Sequence, residues 1–251
     1  CDSISSSLTL VSSMVSCNKA AMIVSRSRPI SAKISDDGKV GVMIEINCET
    51  DFVTRNEKFQ SFVAEMTDKA MDIEGDVAET VKDEVTAAIS EIGENIVLRK
   101  SERFSTENGA VSSYIHMGGK IVSLTVVDGV DEDVAKDVSM HVAAINPKYL
   151  DPSQISEDVI EHEKQILTNE ALNEGKPANI VEKMVVGRLN KYLQEICLVN
   201  QAFVKDPDLT VEKFVKQKNG KILSFLRLET GEGIEKRQDD FASEVMSQVK
   251  A

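Results

Sequence analysis

A weak internal repeat constrains the fold of this chain more than any other feature. At an offset of 81 residues, Ser31-Ala-Lys-Ile34-Ser-Asp-Asp-Gly38-Lys39-Val40 aligns with Ser112-Ser-Tyr-Ile115-His-Met-Gly-Gly119-Lys120-Ile121. Four of the seventeen paired positions from Ser31 to Asn47 are identical, so shared pattern carries the comparison more than identity does. In each copy a β-like run meets a short glycine-containing turn and continues into an apolar run, 40–46 or 121–127. That pattern predicts a β-hairpin with a short loop. A helical pattern follows each hairpin. In the first copy Thr54 and Glu57 have the spacing of a capping box, and Phe59, Phe62, Val63, Met66 and Ala70 fall on one face. In the second, Val134, Val138, Val142 and Ile145 form the stripe, and Asn146-Pro147 stops the helix. A third β-like run, 95–100 or 221–229, ends each copy. Each unit reads as a small antiparallel sheet covered by helices, which makes the fold class α+β. The two subdomains are expected at 31–108 and 109–230.

The second unit carries an insertion at about 153–199. Residues 157–173 and 178–196 are two helical patterns separated by Asn173-Glu-Gly175-Lys-Pro177, a helix stop and restart. Val159, Ile166 and Leu172 supply apolar positions on the first helix, and Ile180, Met184, Leu189 and Leu193 on the second. This predicts an αα-hairpin. Its apolar stripe is satisfied either within the hairpin or against another chain, and periodicity does not decide between them. Residues 231–251 read as a C-terminal helical module. Residues 1–30 stand apart: they begin with Cys1, are rich in serine, and lack the basic start of a secretory signal. They are left without an assigned element and are expected to be disordered or aberrant.

Composition excludes several functions. With 42 Asp+Glu against 29 Lys+Arg, the net charge is −13, and a strongly acidic surface repels phosphate backbones. The densest basic stretch, Arg26, Arg28 and Lys33, is short and diluted by serines. Direct nucleic-acid binding is therefore not expected. Cys1, Cys17, Cys48 and Cys197 form no C-x-x-C pair, which fits a reducing compartment better than a disulfide scaffold or a zinc ribbon. No apolar run reaches the ~20 residues of a membrane helix. The chain has no phosphate-binding loop, no complete dinucleotide fingerprint and no nucleophile elbow. His162-Glu163 lacks a second histidine at ligand spacing, and His141 reads as a packed residue, so no metal, cofactor or catalytic residue is assigned.

One loop does not fit a purely structural account. Asn47-Cys-Glu-Thr-Asp51-Phe52-Val53 bridges a strand end and a helix start, a place where a rigid scaffold can present side chains. Asp51 could cap the next turn and Phe52 could fold back as a hydrophobic staple; either could instead face a partner. An enzyme using Asp51, Glu49 and His116 as acid–base groups, and a structural or dimerising protein built on the αα-hairpin, are the alternatives.

At these residues the sequence resembles the translation elongation factor Ts family. The segment Ile46-Asn-Cys-Glu-Thr-Asp-Phe-Val53-x-Arg-Asn56 matches that family's most diagnostic motif. Further matches are Ile92-Gly-Glu-Asn95, His116-x-Gly-Gly-Lys120, Met140-His-Val-Ala-Ala144, Gly175-Lys-Pro177 and Gly187-Arg-Leu-Asn-Lys191. Glu229-Thr-Gly-Glu-Gly-Ile-Glu-Lys236 continues the set, and the resemblance runs in order from about residue 38 to the end. It implies a non-enzymatic, cytoplasmic guanine-nucleotide exchange factor for elongation factor Tu. It also implies that the loop of Thr50, Asp51, Phe52 and Val53 enters the partner's GTPase domain, with Phe52 wedging near the magnesium site. Ile92, Gly93 and His116 match positions that lie against the partner, the helical hairpin is an arm associated with partner or homodimer contacts, and the C-terminal helix packs on the GTPase domain. The three-helix module that opens family members has no counterpart in residues 1–30, and weakened partner affinity is the expectation.

Overall fold

The β-branched runs on either side of the first glycine turn fold as antiparallel neighbours, and the turn shows why. Ser35 Oγ accepts from the amides of Lys39 and Val40, and Gly38 adopts a left-handed φ of 67°. The computed structural model describes residues 21–23, 29–175 and 177–232. Strands β1 (Ala21–Ile23), β2 (Ile30–Ile34), β3 (Val40–Cys48) and β4 (Ile96–Ser105) form one antiparallel sheet in that order. Strands β5 (Gly109–His116), β6 (Ile121–Asp128) and β9 (Lys221–Glu229) form a second, ordered β5-β6-β9. In both sheets a hairpin is followed by helices and by a last strand added beside the hairpin's second strand. Two short strands, β7 (Ala202–Phe203) and β8 (Asp206–Thr210), pair with each other. The architecture is α+β.

Alternation along β3 divides the core. Val42, Ile44 and Ile46 face helix α1 (Glu57–Asp72), packing with Phe59, Phe62, Val63 and Met66. Met43 faces the other way, joining Ile30 and Ala32 against Val111, Val122, Leu124 and Leu228 of the second sheet. The sheets approach closely where β3 begins: a Cβ on Gly41 would lie 2.5 Å from Val111 Cγ1. There Val111 N donates to Gly38 O at 2.8 Å. Glu45, 1% exposed, is held on β3 by Arg99, whose Nη1 donates to both carboxylate oxygens, at 2.9 and 3.2 Å.

The remaining helices are α2 (Val77–Thr80), α3 (Lys82–Ile92), α4 (Glu132–Ile145), α5 (Glu157–Asn173), α6 (Ala178–Ile196) and α7 (Val211–Gln217). Helices α2 and α3 are separated by a break at Val81. Helix α4 packs on the second sheet through Val134, Ala135, Val138 and Val142, whereas Ile145, expected in that stripe, is exposed. Its His141 is buried as expected: Nδ1 accepts from Val204 N at 3.2 Å, so Nε2 carries the proton to Gln201 Oε1 at 2.9 Å.

Helices α5 and α6 span the expected residues, and Lys148 N and Tyr149 N both donate to Ile196 O at the arm's base. The apolar face matches the expected one at Leu189 and Leu193 and differs elsewhere. The seam is Leu167, Ala171, Val181 and Val185 with Leu189 beside it, while Val159, Ile166, Leu172 and Ile180 are exposed. Both helices carry apolar residues around more than one face, so two stripes satisfy helical spacing, and the smaller side chain of Ala171 allows the closer approach. Strand β1 lies within the stretch given no element, pairing Ile23 with Ile30. The rest of that N-terminal expectation, in residues 1–20 and 24–28, and nearly all of the C-terminal module, from 233 on, lie outside the described residues.

Candidate functional site

The loop after β3 is built from side chain to backbone bonds that hold it open rather than folded back. Cys48 ends the strand opposite Ile96, and Thr50 turns toward the end of α3, where Glu94 Oε2 accepts from Thr50 N at 3.0 Å. The Thr50 hydroxyl donates to Glu94 Oε1. A short 3-10 turn, Val53–Arg55, follows, closed by Arg55 N donating to Phe52 O and Asn56 N to Val53 O. Thr54 is 1% exposed and its Oγ1 donates to Asp51 O at 2.7 Å. Thr54 therefore does not cap α1, as its spacing to Glu57 suggested. Asn56 does, its side chain accepting from Lys58 N at 2.9 Å. The hydroxyl was already committed to the loop, and asparagine serves equally well as a cap.

These bonds determine where Phe52 points. Val53 is half-buried against the α1 core, anchoring the loop from below, while Phe52 is 80% exposed. The staple reading is thus corrected: Phe52 does not return to the helix. Its own backbone is relaxed, with φ −68° and ψ −41°, so strain does not force it outward. A phenyl ring held in water on a braced loop forgoes burial worth roughly 2–3 kcal/mol.

Ile92 and Gly93 meet this loop through Glu94. Helix α3 ends at Ile92, and Gly93 takes a left-handed φ of 81° with its amide bonded to Ile89 O. No heavy atom lies within 4 Å of where a Gly93 Cβ would be, so glycine is there for the backbone turn and not for space. That turn delivers Glu94 to Thr50. Glu94 was not among the expected site residues; its presence in the Ile92-Gly-Glu-Asn95 motif was the available signal.

His116 sits elsewhere. It ends β5 in the second sheet, exposed, stacked on Tyr114 with ring centroids 6.2 Å apart. After it Met117, Gly118 and Gly119 all have positive φ, and Met117 is 61% exposed. Among the described residues no hydrogen bond or ion pair joins His116 to Asp51 or Glu49, so the three do not form an acid–base constellation. Burial pushes the Cys48 thiol up to about 11, helped by the charges of Glu94 and Asp51, which leaves it a protonated, unreactive neighbour of the loop. Its Sγ lies 3.3 Å from Thr50 O. Among the described residues no cluster of three or more His, Cys, Asp or Glu side chains could hold a metal ion, and no helix is long and apolar enough to cross a membrane.

What the site offers is a protruding aromatic flanked by the carboxylates of Asp51 and Glu94, on a loop braced from two elements. The family model for elongation factor TS matches residues 49–232, which begins at this loop and spans most of the chain. The chain belongs to the elongation factor Ts family.

Proposed function

We propose that this chain promotes GDP release by inserting the Thr50–Val53 loop into the GTPase domain of elongation factor Tu. Family membership carries the general role, nucleotide exchange on elongation factor Tu in protein synthesis, by an exchange factor and not a catalytic enzyme in the usual sense. The exposure of Phe52 on its braced loop is the single observation that carries the finer reading. Phe52 is the wedge beside the partner's magnesium and phosphate site, with Asp51 contacting the groups around it. Ile92, Gly93 and His116 complete the contact surface. An exchange factor must bind the nucleotide-free partner more tightly than the nucleotide-bound one, since only differential affinity shifts the equilibrium. A preformed loop suits this, because little ordering entropy opposes its insertion. The same reading places the protein in the cytoplasm, without nucleic acid, metal or cofactor of its own. It treats 31–108 and 109–230 as two core subdomains; the matching strand connectivity of the two sheets supports the division.

A second reading, dimerisation through the arm, is favoured by the exposed Val159, Ile166, Leu172, Ile180 and Val186 on its surface. Sedimentation of the unmutated chain and of Leu172→Glu distinguishes it: a monomer in both cases eliminates the dimer. The exchange reading is tested by release of labelled GDP from elongation factor Tu with and without the chain. Acceleration is expected, and its absence together with absence of a complex refutes the reading.

A further inference from the structure

Helices α1 and α3 do not close on each other along their solvent side. Between them runs a groove of about 530 Å³ whose apolar lining is Phe62, Ala88 and Ile92, with Ala87 exposed at its edge. Two consecutive alanines on α3 leave the trough unfilled. Its walls carry the carboxylates of Glu57, Glu65, Glu84 and Glu91, against the single lining cation Lys58. Lys58 pairs with Glu91 at 2.7 Å, and Lys69 bridges Glu84 at 2.6 Å and Glu65 at 3.2 Å. Even with Lys69 included, the walls retain an excess of two negative charges, and Glu57 forms no ion pair among the described residues. These exposed pairs are each worth at most about 1 kcal/mol, so an incoming cation can replace either lysine at small cost. An apolar floor between acidic walls is the complement of an amphipathic helix bearing Lys or Arg on its flanks.

The groove is continuous with the loop site. Ile92 lines it, and the next two residues, Gly93 and Glu94, make the turn that braces Thr50. We infer that the groove between α1 and α3 seats a basic amphipathic helix of the same partner that receives Phe52, steering the encounter before the loop inserts. This rests on the exchange-factor reading above. It assigns association to the groove and nucleotide release to the loop, which makes the two separable.

The test measures association of the full chain with nucleotide-free elongation factor Tu by stopped flow, at low and high salt, beside GDP release. Glu57→Lys alters an exposed charge and Ala87→Trp fills the trough from an exposed position, so neither disturbs the core. Glu57→Lys is expected to slow association about tenfold at low salt, converging with the unmutated chain at high salt. Ala87→Trp is expected to weaken binding about tenfold at both, while Glu107→Lys, an exposed position between β4 and β5, changes neither. Association of both groove variants within twofold of the unmutated chain, with Phe52→Ala still sharply lowering exchange, overturns the inference and leaves the exchange reading standing. An unmutated chain that neither binds nor accelerates release overturns both. If Ala87→Trp fails to fold, the salt-dependent effect of Glu57→Lys decides alone.

Discussion

Truncating Phe52 to alanine separates what the ring does for the fold from what it does for a partner. At 80% exposure the side chain loses almost nothing to the folded chain, so Phe52→Ala should change stability by less than about 0.5 kcal/mol. The same exposure leaves roughly 150 Å² of ring surface available to be buried. At about 25 cal/mol per Å² that is close to 4 kcal/mol if burial in the partner is complete. Alanine retains part of this, and fixing the ring on binding costs about 1 kcal/mol, leaving a loss of about 2–3 kcal/mol on truncation. The expected outcome is a fall of roughly 30- to 150-fold in catalysed GDP release at subsaturating concentration, with thermal unfolding unchanged. Phe52→Leu should fall between the two, because it keeps apolar area without the planar shape. An exchange rate within threefold of the unmutated chain would refute the argument from exposure, and a large drop in melting temperature would show that the ring is part of the core.

Other positions give independent checks. Glu94→Gln removes the charge from the acceptor that holds Thr50, and should lower exchange severalfold while changing unfolding by no more than about 1 kcal/mol, read by urea titration. Arg99→Met leaves the Glu45 carboxylate buried without its partner and should cost about 3 kcal/mol or more, seen as a lower denaturant midpoint. His141 is held below its ordinary value of 6.5 by burial, an effect partly opposed by its bond to Gln201. Its charged form is therefore disfavoured in the fold, so its contribution to stability is full above about pH 6.5 and is lost as pH falls from there through the depressed folded value. Melting temperatures measured between pH 5 and 7.5 should fall toward acid, with a shallower slope for His141→Gln.

Much of the fold was legible because punctuation residues mark it. Gly38 and Gly119 set the two hairpin turns, Asn146 and Pro147 end α4, and Gly175 with Pro177 separates α5 from α6 at the residues expected. Periodicity was less decisive where apolar residues encircle a helix, which is why the arm's seam runs through Leu167 and Ala171 and not Ile166 and Leu172. The cap of α1 was misplaced because Thr54 and Asn56 are both good capping residues, and only the loop's own demand for the Thr54 hydroxyl separates them. Strands β7 and β8 and helix α7 were not anticipated; β8 contains Pro207, which argues locally against a strand. In the site, Phe52 could be singled out by motif, but its brace could not. Thr50 and Glu94 lie 44 positions apart, and their bond exists only once α3 has packed on α1.

The meeting of the two sheets around Met43 and Val111 ties the two units into one interior. Ile30, Ala32 and Met43 pack with Val111, Val122 and Leu124 of the second unit, and Ile34 and Phe104 border the same cluster. Each unit thus supplies half of a shared interior, and Gly41 keeps the gap between them too narrow for even one added methyl group. Excising either unit would expose the apolar face of the other to water, so the loop after β3 is presented by a scaffold whose two halves hold together as one.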